Sequence, residues 1–159
     1  MYIELESVFN REGESVQFDY EFSLDDENIT TPVKVVGSVF NRTGIVGLKA
    51  TAKFDYATQC AKCNKPLLRH ATVPIKHTLI SHVENEEDRD MYIVVERMCL
   101  ELDELVSEEV FLSIPSRFLC KEDCKGLCPF CGTDLNESTC NCSKPADSRW
   151  DVLKDLFNE

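Results

Sequence analysis

Cys120-Lys-Glu-Asp-Cys124-Lys-Gly-Leu-Cys128-Pro-Phe-Cys131-Gly132, closed by Cys140-Asn-Cys142, places six cysteines within 23 residues. A Cys-x-x-Cys turn sets two sulfurs on one side of a tight loop, where backbone amides can donate to thiolates. A following glycine lets the chain fold back beneath a metal, and Cys128-Pro-Phe-Cys131-Gly132 has every one of these parts. Cys140 and Cys142 stand two apart, so on an extended segment both side chains face the same way. A second pair, Cys60-Ala-Lys-Cys63, lies upstream. Four thiolates suit one zinc ion with no open coordination position, which makes a closed structural site rather than a catalytic one. The expected ligands are Cys60, Cys63, Cys120, Cys124, Cys128, Cys131, Cys140 and Cys142, for one or two ions. Grouping four pairs two by two leaves three arrangements open. Cys99 stands alone and reads as a small buried hydrophobe.

Upstream of this segment the period is that of strands. Val16-Gln-Phe18-Asp-Tyr20-Glu-Phe22 alternates apolar and polar residues without a fault. Val33 to Phe40 reads as a second strand, and Asn41-Arg-Thr-Gly44 supplies turn residues for a hairpin. Ile45 to Thr58 reads as a long third strand leading directly into Cys60. Thr72 to Val83 is again rich in β-branched residues, with Pro74 favouring an edge or a bulge. Glu84 to Asp90 reads as an exposed loop, and Met91 to Val95 as a compact apolar strand. Leu102, Leu105, Val106 and Val110 then recur at helical spacing, which predicts an amphipathic helix from Asp103 to about Ser113. Pro115 ends it. A short helix is expected to begin at Ser148, with Trp150, Leu153, Leu156 and Phe157 as its apolar stripe.

The fold expected is therefore α+β: an N-terminal antiparallel sheet or partial barrel, a helix, and a Cys-rich, zinc-type segment ending in a short helix. Residues 1–100 form the β part and 101–159 the rest, packed as one unit. At 159 residues the chain fits one ordinary domain.

Charge limits the partners. The net charge is −12 and the pI about 4.7, which argues against broad, non-specific binding to nucleic acid. One short stretch runs the other way: Ala57 to Thr78 carries Lys62, Lys65, Arg69 and Lys76 with no carboxylate. Glu84 to Glu109 is strongly acidic. RNA or a partner is expected at the basic end, through phosphate contacts rather than base reading. A basic ribosomal protein on the acidic face is equally compatible with steering by charge. Met1 to Ser7 has neither a basic nor an apolar signal region, no apolar run reaches membrane length, and a cytoplasmic protein is expected. Reducing conditions there favour metal ligation over disulfides.

The ordered motifs resemble a known family. Leu102 to Pro115 leads into Lys125-Gly-Leu-Cys-Pro-Phe-Cys-Gly-Thr-Asp-Leu-Asn136, then Cys140-Asn-Cys142 and Asp147-Ser-Arg149-Trp150. With Cys60-Ala-Lys-Cys63, this is similar to the YceD family of large ribosomal RNA subunit accumulation proteins. The likeness covers about Ala50 to the end. It departs where Lys62 replaces a frequent arginine, losing the bidentate fork, and where Ser148 replaces a proline. The resemblance implies a non-enzymatic factor supporting accumulation or processing of 23S rRNA, with no small-molecule substrate and no membrane. Two other classes remain open at this point: a zinc-stabilised protein-interaction adaptor, and a thiol oxidoreductase using Cys60 and Cys63. Against the latter, no aromatic residue precedes Cys60 and no βαβ pattern surrounds it. His70, His77 and His82 have no nucleophile or acid partner in a motif context.

Overall fold

The computed structural model describes residues 1–83 and 91–142. Its elements are β1 (Tyr2–Glu4), α1 (Glu6–Asn10), β2 (Ser15–Phe22), β3 (Val33–Arg42), β4 (Ile45–Gln59), β5 (Pro66–Ile80), β6 (Ile93–Val94), β7 (Cys99–Glu101) and α2 (Leu102–Ser113). One sheet has the order β2-β3-β4-β5-β6, and β1 pairs with β7 in a small second sheet. The first four strands of the large sheet are antiparallel, and β6 joins β5 in parallel through Leu79↔Ile93 and Ile80↔Val94. The sheet is open. Two residues of β6 give too short an edge to meet β2 and close a barrel.

Alternation decides which face is buried. Val33, Val35 and Val39 of β3 and Val46, Leu48, Ala52 and Phe54 of β4 all point to one side and are almost fully buried. The helix α2 lays Leu102, Leu105, Val106 and Val110 into the same core, and α1 adds Val8. Each such large side chain contributes about 1.5–3 kcal/mol through loss of apolar surface to water. The helical stripe is the one its spacing predicts. Its start lies one residue earlier than expected, at Leu102.

The β3–β4 hairpin closes through Thr43 and Gly44 at φ 52° and 81°, two left-handed residues whose twist matches that of the strands. Asn41 does more than turn. It is 3 % exposed, and its amide donates to the Val8 carbonyl at 2.8 Å while its oxygen accepts from the Gly44 N–H at 3.1 Å. That side chain pins α1 to the hairpin.

Several expectations are corrected. β5 starts at Pro66 rather than Thr72, because β4 is long enough to pair with it from Gln59 onward. The expected strand Met91–Val95 shrinks to Ile93–Val94, since only these residues reach β5. Cys99 is half-buried, paired with Glu4 in the small sheet. The N-terminal residues, silent in the sequence pattern, form β1 and α1. The expected loop at 84–90 and the helix from Ser148 lie outside the described residues.

Candidate metal centres

Both ends of the β4–β5 hairpin connection belong to the first thiol group. Cys60 follows β4 directly, and the turn Cys60-Ala-Lys-Cys63-Asn64 folds back so that the Asn64 N–H donates to the Cys60 carbonyl at 2.8 Å. Asn64 has φ 59°, a left-handed conformation that asparagine tolerates better than most residues. The second knuckle repeats the device: the Gly132 N–H donates to the Cys128 carbonyl at 2.9 Å, with Gly132 at φ 73°. The sequence pattern identifies Gly132 for this role but not Asn64, although Asn is the residue most able to replace Gly there.

The arrangement left open by spacing is resolved. Cys60, Cys63, Cys120 and Cys124 form one group, and Cys128, Cys131, Cys140 and Cys142 another; within each, all four sulfurs lie within 4.8 Å of one another. Cys60 Sγ lies 3.7 Å from Cys124 Sγ, and Cys63 Sγ lies 3.6 Å from Cys120 Sγ. A tetrahedral zinc with bonds of about 2.3 Å requires sulfurs about 3.8 Å apart. The observed separations fit that edge and are far too long for a disulfide.

Surroundings favour thiolate in part of each group and oppose it in the rest. Burial pushes the Cys60 thiol up, but the backbone N–H groups of Cys63, Lys62 and Cys120 outweigh it and bring it down to about 6. Cys131 is likewise brought down to about 6, first by the Thr133 hydroxyl, 3.1 Å away, and then by the Thr133 N–H. Cys120 is pushed up to about 12, chiefly by Cys124, and Cys142 to about 12, chiefly by Cys131. Four thiolates in so small a space repel one another, and a divalent cation is the group that removes the conflict. Asn136 Nδ2 stands 3.5 Å from Cys124 Sγ as a further donor. The donor set thus suits zinc, which such a site would use to hold the fold rather than to activate a substrate.

The two centres differ in setting. Cys60, Cys63 and Cys124 are 2 %, 5 % and 1 % exposed, with Leu67 and Leu119 packed on them. Cys131 and Cys142 are exposed. The first centre joins the β4–β5 hairpin to the segment after α2, about sixty residues away, and the second sits outside it.

The basic residues singled out in the sequence serve this junction. Lys62 Nζ donates to the Cys124 carbonyl at 2.9 Å, and Arg69 donates to the Leu119 carbonyl at 3.0 Å. Lys65 pairs with Glu137 at 2.6 Å and Asp134 at 3.2 Å. Three of the four cations thereby fasten the Cys-rich segment to the hairpin, while Lys76 stands on the outer face of β5. Gly126 completes the joint. At φ 79° it lies so close to the first knuckle that an added Cβ would stand 2.9 Å from the Lys62 carbonyl oxygen, and the neighbouring Leu127 N–H donates to that oxygen at 3.1 Å. His70 pairs with Asp55 and His77 with Glu109, each remote from the thiols.

The arrangement defines a class: an open sheet bearing two four-cysteine groups, the first of which ties a hairpin end to a Cys-rich tail. Residues 48–157 match the family described as "Large ribosomal RNA subunit accumulation protein YceD", and the chain belongs to that family. Among curated proteins it is similar to an uncharacterized protein of Mycobacterium bovis and to uncharacterized proteins of two Mycobacterium tuberculosis strains. Each is 26% identical over 103 residues, covering 62% of this chain and 49% of the relative. The chain therefore spans about half the length of the curated relatives it matches. No solved structure matches it. Among the described residues, no helix is long and apolar enough to cross a membrane.

Proposed function

We propose that this protein is a non-enzymatic, cytoplasmic ribosome-biogenesis factor that supports accumulation of 23S rRNA, with two zinc ions holding its Cys-rich segment. The observation that carries the reading is the family match over residues 48–157, a span that includes all eight paired cysteines. Cys60, Cys63, Cys120 and Cys124 hold one ion; Cys128, Cys131, Cys140 and Cys142 hold the other. With all four ligands supplied by protein, neither ion keeps a position for substrate. Residues 1–100 and 101–159 act as one unit, a reading supported by the core that α2 shares with the strands. Lys62, Lys65 and Arg69 serve a partner contact indirectly, by fixing the shape of the basic end, and Lys76 serves it directly. The partner is large-subunit rRNA precursor or a ribosomal protein bound to it.

Depletion of the protein tests this reading. The 23S to 16S ratio should fall, and the tagged protein should co-sediment with large-subunit precursors. An unchanged ratio in depleted cells, with the protein absent from ribosomal fractions, overturns it.

A further inference from the structure

The inward face of the large sheet is covered by α1, α2 and the small sheet. Its outward face carries a different chemistry. Register places Lys34 of β3 directly opposite Lys53 of β4, and Lys49 of β4 directly opposite Lys76 of β5. All four side chains are exposed and share the outward side, because Val35, Ala52 and Ile75 between them point inward. Arg42 extends the same face. Like charges directly opposite one another on a sheet destabilise it, so two such pairs side by side are unexpected in a surface with no anionic partner.

The contrast with the rest of the chain is sharp. In a protein of net charge −12, the outward face of β3, β4 and β5 carries five cations against one carboxylate, Asp55, which is already held 2.5 Å from His70. On the flanking strand β2, Glu21 stands directly opposite Lys34 and Asp19 opposite Val36, so carboxylates border the face along its β2 edge. Among the described residues none of the five cations has a carboxylate within ion-pairing distance. Two of them, Arg42 and Lys49, lie against an aromatic ring. The Phe40 ring spreads over Gly47, where a Cβ would stand 2.9 Å from its Cζ, and Arg42 and Lys49 each stand 5.4 Å from the ring centroid. The two lysine pairs are four residues apart along β4, about 13 Å at the usual rise. A depression of about 800 Å³ at the β2 edge of this face is lined by Lys34, Lys53, Val36 and Thr51 together with Asp19, Tyr20 and Glu21 of β2. The end at Lys49, Lys76 and Arg42 is therefore the more purely basic part.

We propose that the outward face of β3–β4–β5, through Lys34, Lys49, Lys53, Lys76 and Arg42, is the binding surface for a single-stranded RNA segment. The inference deepens the function proposed above by naming the surface that meets the RNA. Recognition is of the phosphate backbone: lysines act as point charges and supply no base-edge pattern. The acidic remainder of the molecule repels polyanions, so the RNA is confined to this face, and an RNA contact on a protein of pI about 4.7 needs no global positive charge. Charge complementarity selects RNA over a basic protein, which this face would repel.

The test is fluorescence anisotropy with the zinc-loaded full chain and a labelled 20-nucleotide single-stranded RNA of mixed sequence, titrated across salt. Five phosphate contacts predict a slope of log K against log salt of about −3.5, or roughly a 130-fold loss between 50 and 200 mM salt. The variant Lys34→Gln/Lys49→Gln/Lys53→Gln/Lys76→Gln, which keeps Arg42, should bind at least tenfold more weakly at 50 mM and show a slope of about −0.7. The control Arg11→Gln/Lys121→Gln should match the parent. Removing two like-charge pairs does not endanger folding, and an unchanged circular dichroism spectrum confirms it. Absence of saturable binding by the parent overturns the proposal, as does an unchanged slope in the variant. Tighter binding of poly-glutamate than of RNA would assign the face to an acidic protein instead. A dimer that forms with concentration and is lost in the variant, without RNA binding, would assign it to a second copy. If depletion lowers the 23S to 16S ratio but the lysine variant restores it fully, the function stands and this surface does not.

Discussion

Gly126→Ala measures how closely the Cys-rich segment is seated on the hairpin. Two costs add at this position. The left-handed backbone at φ 79° costs a side chain about 1–2 kcal/mol, less about 0.4–1 kcal/mol regained because alanine restricts the unfolded chain. The second cost is local. The new methyl would meet the Lys62 carbonyl oxygen at 2.9 Å and Lys62 Cβ at 3.2 Å, and it must displace backbone rather than a flexible side-chain end. Overpacking of this kind costs about 1–3 kcal/mol, and the Leu127 N–H to Lys62 hydrogen bond, worth about 1 kcal/mol, lies in the same contact. Gly44→Ala is the reference, with φ 81° and nothing within 4 Å of its added Cβ. Gly44→Ala should therefore destabilise by about 1 kcal/mol and Gly126→Ala by about 3 kcal/mol. Urea unfolding of zinc-loaded protein, followed by far-ultraviolet circular dichroism, separates them by about 1 M in midpoint. Equal midpoints for the two variants would refute the close seating of the segment on the first knuckle.

Other consequences are as direct. Phe54→Ala, at a site 2 % exposed inside the sheet core, should cost about 3–5 kcal/mol in the same urea titration. Lys65→Met removes two ion pairs made by a side chain that is 44% exposed, so its cost should stay below about 1 kcal/mol; a larger loss would show that these pairs carry the junction. Zinc uptake by the metal-free protein at neutral pH should release at least two protons per ion, read by calorimetry in buffers of different ionisation enthalpy. In the first group Cys63 and Cys120 are raised above the ordinary thiol value, and in the second Cys140 and Cys142 are. These thiols are protonated before the metal arrives, so affinity should rise with pH; uptake without proton release would contradict thiolate ligation.

The sequence made the large elements legible because period and burial agree in them. The alternation in β2, β3 and β4 and the Leu102, Leu105, Val106, Val110 stripe each bury the face their spacing names. Short elements were not legible. β1, β6 and β7 have two or three residues each and exist through long-range pairing, which no local pattern encodes. All eight paired cysteines could be named from spacing, but their grouping could not, because it depends on the hairpin end meeting a segment about sixty residues on. The basic stretch was legible as charge and not as geometry. Lys62, Lys65 and Arg69 turn inward to carbonyls and carboxylates of the Cys-rich segment, whereas Lys34, Lys49 and Lys53 are scattered along the sequence and become one surface only through strand register. Asn41 shows the same limit: its turn propensity was visible, and its bond to Val8, 33 residues away, was not.

Metal content of the purified protein and of three variants tests the central claim most directly. Elemental analysis should find two zinc ions per parent chain, one in Cys60→Ser and one in Cys140→Ser, and none in Cys60→Ser/Cys140→Ser, because each substitution removes a ligand from a different group of four. A folded parent chain with reduced thiols and no metal, or a single substitution that empties both groups, would contradict two independent four-cysteine centres.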